Sequence, residues 1–130
     1  MPATYWIDAA RRLVLTRGWG VFTEQDLLGH FTTLAADPAF QPTFSQLADL
    51  RHVDRAEVSK PFIRRRALER LFSSSARRAI VVSSADHYEL ARIYAEFAQY
   101  VSQNVHVFRD IHDAEEWLGI ETPLVTTMEE

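Results

Sequence analysis

Between Asp49 and Arg64 the chain gathers its densest mix of charge and hydroxyl chemistry. Asp49 stands near the end of an apolar run over residues 44–50, and Ser59 opens a helical pattern ten residues later. Arg51, Arg55, Lys60 and Arg64 surround the two in sequence. A hydroxyl at a helix start lies among free amides at the positive end of the helix dipole. Ser59 could therefore carry a phosphate held by Arg55, Lys60 and Arg64. The same hydroxyl could instead cap the helix by accepting from an amide one turn on. Glu57 and the missing amide of Pro61 weigh against the phosphate. Asp49, Arg51, Arg55, Ser59, Lys60 and Arg64 thus form a candidate anion or partner site, with Ser59 its candidate phosphorylation position. Asp49, His52 and Ser59 also hold the residue types of a hydrolytic triad, but their spacing fixes no geometry.

Elsewhere the residue types exclude more than they suggest. None of the five histidines stands at a metal-binding spacing with a second ligand, and cysteine is absent. The four glycines, Gly18, Gly20, Gly29 and Gly119, form no phosphate loop, and no nucleophile elbow occurs. Catalytic residues, metals and cofactors are therefore not expected, and a non-enzymatic role is. The net charge of −4 conceals an asymmetry. Residues 51–78 carry nine basic side chains against Asp54, Glu57 and Glu69, while the remainder has five basic against fifteen acidic. Overall acidity argues against nonspecific nucleic-acid binding, whereas the local surplus suits an acidic partner, an anion or simple solvation of a helix face.

At 130 residues the chain has room for one core. Without cysteine, signal-peptide pattern or long apolar run, it is expected to be soluble and cytoplasmic, with no membrane span. Tyr5-Trp6-Ile7 reads as a strand, residues 8–11 as a tight connection and residues 13–19 as its antiparallel partner. Thr23-Glu24-Gln25-Asp26 is a capping pattern for a helix that carries Leu27, Leu28, Phe31 and Leu34 inward and closes at Asp37-Pro38. Residues 44–50 form the third strand, and residues 51–61 a strand-to-helix loop. Such loops lie at the carboxyl edge of a parallel sheet, where open α/β domains keep their sites. The second helix starts near Ser59 and turns Ile63, Ala67, Leu68, Leu71 and Phe72 inward. Residues 79–83 are a nearly continuous apolar strand, as in the middle of a parallel sheet. A third helix runs from Ser84 or Asp86 to about Val101. A strand over residues 105–108 and a short helix from Asp110 to Gly119 complete the order ββαβαβαβα. That order predicts a five-stranded mixed sheet, antiparallel in its first pair and parallel thereafter, flanked by helices.

The topology, with Leu47-Ala48-Asp49-Leu50 and a serine nine residues on, resembles the STAS (SpoIIAA-like) fold of bacterial anti-anti-sigma factors and sulfate-transporter tails. The signature at this joint in that family is Asp-Leu-Ser-Gly-Val-x-x-Ile-Asp-Ser-Ser-Gly. Its first aspartate falls on Asp49, its leucine on Leu50, its valine on Val53 and its phosphorylated serine on Ser59. The loop serine and glycine are Arg51 and His52 here, the second aspartate is Glu57, the first paired serine Val58 and the last glycine Lys60. The chain also resembles small bacterial STAS-like proteins of unassigned function, which share an Asp-Leu-Arg strand end, an Arg-Arg-Ala-Ile-Val strand and a Val-x-Val-Phe-Arg-Asp ending. The resemblance implies a single STAS-like α/β domain over residues 1–120, followed by a flexible acidic tail over 121–130. It also implies a regulatory or protein-interaction module. The lipid-carrying CRAL-TRIO domain is similar in fold, and implies carriage of a small apolar ligand as the alternative.

The third helix supplies a last expectation. Projected at 100° per residue, Leu90, Ile93, Tyr94, Phe97, Tyr100 and their neighbours cover about half its circumference, more than the roughly 100° stripe that one core needs. The surplus could pack on the last helix through Trp117 and Leu118, line a pocket, or form a homodimer interface through Ile93, Phe97 and Tyr100. A weak-to-moderate homodimer is expected, burying about 1,200 to 2,000 Å² in total.

Overall fold

Strand signals, caps and crossovers assemble as that order requires. The computed structural model describes residues 3–120, so the expected acidic tail lies outside the described residues. The elements are β1 (Ala3–Asp8), β2 (Leu13–Thr23), α1 (Glu24–Ala36), β3 (Ser45–Glu57), α2 (Lys60–Ala67), β4 (Arg77–Val81), α3 (Ala85–Ala98), β5 (Asn104–Phe108) and α4 (Ile111–Leu118). A short 3₁₀ turn over Gln99–Val101 follows α3. The five strands lie side by side in chain order, β1 antiparallel to β2 and every later neighbour parallel.

Local chemistry sets the helix ends. The Thr23 hydroxyl accepts from the Asp26 amide while Asp26 receives the Thr23 amide, a reciprocal capping box. Ser84 and Asp110 cap α3 and α4 in one direction only, accepting from the His87 and His112 amides, and Gly119 leaves α4 at a left-handed φ of 73°. The Tyr5 hydroxyl donates to Asp37 at 2.7 Å and ties β1 to the end of α1.

Because successive parallel strands step in one direction, right-handed crossovers stack their helices on one face. On that face Phe31, Ile63, Ala67, Ile93, Tyr94 and Val105 form one buried cluster, and Val14, Leu34, Phe44 and Phe72 another. The opposite face is covered by α4, whose Ala114, Trp117 and Leu118 pack on Leu13, Leu15, Leu47 and Val81.

Five expectations need correction. Leu28 does not turn inward on α1 but is exposed. Trp117 and Leu118 do not meet α3, because α4 crosses to the other side of the sheet. Ile93 is only 9% exposed and belongs to the core of its own domain, where α3 meets α1 and α2. Helix α2 ends at Ala67, so Leu68 turns outward while Phe72 reaches the core from the following loop. The largest difference concerns residues 51–57, which are the second half of β3 rather than a loop. Strand β2 likewise runs on to Thr23 and supplies the ladder, pairing Trp19 with His52, Gly20 with Val53 and Phe22 with Ala56. Its register slips after Arg17 and again after Gly20, which sits at a φ of 61°. Among the described residues only these two strands continue so far, since β4 meets β3 from Gln46 to Asp49 and β1 meets β2 up to Gly18. They project as a two-stranded ribbon past the rest of the sheet.

Candidate functional site

An extended strand separates residues that a loop would have brought together. Eight steps along β3 from Asp49 to Glu57 span on the order of 25 Å at about 3.3 Å per residue. Asp49, His52 and Ser59 are therefore strung out along the ribbon and make no triad. Asp49 is 1% exposed and grips Arg51, whose Nε and Nη2 donate to its two carboxylate oxygens at 2.8 and 2.9 Å. Burial opposes its charge, but the Arg51 guanidinium and amide outweigh that, and the carboxyl is held below the ordinary carboxylate range.

Arg55, Ser59 and Arg64 have separate partners, while Lys60 is exposed at the first residue of α2. Arg55 pairs with Glu57 at 2.8 Å on the surface, and the Arg64 guanidinium lies over the Phe97 ring. Ser59 caps α2, its Oγ accepting from the Phe62 amide at 3.3 Å. Its own amide donates to the Glu24 carboxylate at 2.8 Å. That amide lowers the Glu24 pKa first, and the Ser59 side chain and Arg65 assist. A carboxylate of the chain thus already stands beside the start of α2, where a phosphate on Ser59 would have to go. Among the described residues no group of three or more histidines or acids could hold a metal ion.

What converges instead is a cavity of about 120 Å³, partly open to solvent, between the sheet and the helices on its more heavily covered face. Phe22, Leu50, Val53, Ala56 and Val58 line it from the projecting ribbon and its end, Leu27 and Phe31 from α1, and Leu90 and Ala91 from α3. Gly18 makes room for one wall, for a Cβ there would stand 2.8 Å from Leu50 Cδ2.

The cavity has a buried polar floor. In the parallel register Arg78 of β4 stands beside Gln46 of β3, and both point to the cavity face. Arg78 Nε donates to Gln46 Oε1 at 3.2 Å, Nη1 to Gln103 Oε1 at 3.2 Å and Nη2 to the Tyr94 hydroxyl at 2.8 Å. Gln46 donates onward to Thr16 at 2.9 Å, and Thr16 meets His30 Nε2 at 3.3 Å. Gln103 is itself fixed by donating to the Phe72 carbonyl. Burial, with the Arg78 charge assisting, pushes the His30 pKa down to about 4, so its ring is neutral at pH 7. Sequence reasoning passed over Arg78 because an arginine beside Arg77 at a strand start reads as solvated. Its burial depends on Gln46, Tyr94 and Gln103, which come from three other places in the chain.

No family model matches the chain, and no curated protein matches it. A solved structure does: an uncharacterised protein of the DUF3478 family from Shewanella loihica PV-4, with a SpoIIAA-like fold. It superposes with a TM-score of 0.59 at 18% identity, over 89% of this chain and 93% of that one. The likeness is one of fold, and the expected SpoIIAA-like α/β architecture with a five-stranded mixed sheet is what this chain adopts.

Proposed function

We propose that this domain binds and carries a small, largely apolar molecule in the cavity beneath α1 and α3. One observation carries the reading: an apolar chamber, open on one side and walled by a ribbon that extends past the rest of the sheet. Natural cores close such space, because each unfilled volume forfeits packing contacts. The size is near that of the roughly 150 Å³ engineered cavity that takes up benzene. 1-Octanol is a suitable neutral probe. It should saturate the domain and raise its melting temperature as binding to the folded state requires. Ala91→Leu, which fills the cavity from α3, should abolish that uptake and leave unfolding cooperative. Failure of the unmodified domain to take up 1-octanol would overturn the reading.

A second reading, a regulatory module that meets a protein partner or a second copy of itself, is favoured by Tyr100. This ring is 74% exposed and sits edge-on to Phe97 at 5.6 Å. Ser59 modification and the exposed bases Arg55, Lys60 and Arg64 belong to this reading. The absence of cysteine supports a cytoplasmic setting for either, and no described helix is long and apolar enough to cross a membrane.

A further inference from the structure

We infer that the molecule held in this cavity is a small monocarboxylate, its charged head on Arg78 and its apolar body in the chamber, an inference that rests on the apolar-ligand reading above. Arg78 is 3% exposed and lines the cavity. A guanidinium has five N–H donors, and three of these are used, on Gln46, Gln103 and Tyr94. Each of those acceptors is a neutral oxygen. The Phe72 and Tyr94 rings lie 4.4 and 5.4 Å from the guanidinium carbon and soften the burial of its charge without cancelling it. Among the described residues no carboxylate pairs with Arg78. One N–H on each terminal nitrogen is therefore left for an incoming oxygen.

A buried charge is costly until it is paired, and an anion that brings an opposite charge relieves that cost. The flat fork of a guanidinium matches the two oxygens of a carboxylate. One positive charge calls for one negative charge, and a dianionic phosphate would carry a second, unpaired charge into an apolar chamber. His30, neutral in its place at the far end of the Gln46–Thr16 chain, adds no second cation. The small volume sets the body as a ring or short alkyl chain.

Octanoate and 1-octanol differ at the head and share the chain, so the pair separates this inference from the reading beneath it. Titrated into the full chain near neutral pH, octanoate should bind about tenfold to a hundredfold more tightly than 1-octanol, the range for hydrogen bonds to charged groups. In Arg78→Met the preference should collapse while 1-octanol still binds. Should that variant not fold, the unmodified protein decides by nuclear magnetic resonance. The Arg78 Nη–H signals should move on saturation with octanoate and stay in place with 1-octanol. Equal affinities, or Nη–H signals indifferent to octanoate, would overturn the carboxylate and leave the apolar cavity standing. Binding of neither probe would overturn both.

Discussion

His30 makes the stability of the domain depend on pH in a particular direction. Its folded pKa is pushed down to about 4, against an ordinary imidazole value of 6.5. The unfolded chain therefore takes up the proton first as the pH falls. Stability from this group is complete above about pH 6.5 and declines toward pH 4, by about 3 kcal/mol in all. Asp49 works in a lower window, since its carboxyl lies below the ordinary range and its contribution fades only as the solution becomes more acid. Urea midpoints between about pH 8 and pH 4 should fall for the natural domain, and His30→Gln should flatten that fall. An unchanged slope in the variant would place the titration on another group. Residues whose roles are local were legible in the sequence. Thr23, Ser59 and Asp110 cap because each bonds an amide two or three residues away. His30 and Arg78 were not, since their burial is set by residues 14 to 32 positions distant.

At the scale of the elements, the ribbon of β2 and β3 shapes one wall of the cavity. Helices and strands were legible where the apolar period is unbroken, as in β4 and in α3. In the outer half of β3 the apolar residues lining the cavity are Val53 and Ala56, three apart, with Val58 beyond the strand end. That spacing belongs to neither a regular strand nor a long helix, because the register slips on β2 interrupt the alternation. The charge around it then reads as a loop. Gly18 tests the closeness of the ribbon directly. Gly18→Ala puts a methyl group 2.8 Å from Leu50 Cδ2 and must displace that side chain, which lines the cavity. A destabilisation of about 1 to 3 kcal/mol should appear in chemical unfolding, together with weaker 1-octanol uptake. A variant as stable as the parent, with unchanged uptake, would show that Leu50 yields freely into empty space.

Considered as a whole, the molecule devotes more of α3 to its own core than the helical projection suggests. The half-circumference arc exists because α3 meets both α2 and the sheet and also borders a cavity. Ile93→Glu should therefore unfold the domain, at a cost of several kcal/mol for burying an unpaired charge. Tyr100→Glu should leave stability within about 0.5 kcal/mol, because the position is exposed. If copies associate through this corner, light scattering should record the shift to monomer in the Tyr100 variant alone. The projecting ribbon has one more consequence. Among the described residues its two strands have no further neighbours in the sheet beyond Gly18 and Asp49, and isolated two-stranded ribbons are marginal in water. The alternating charges of Asp54, Arg55 and Glu57 guard its bare edge against pairing with other chains. Amide protons along this stretch should exchange with solvent far sooner than those of Leu47 or Ala79. Each such opening lifts a wall of the cavity, so on the carrier reading proposed above the rate of ligand entry and exit would be set by the breathing of the ribbon.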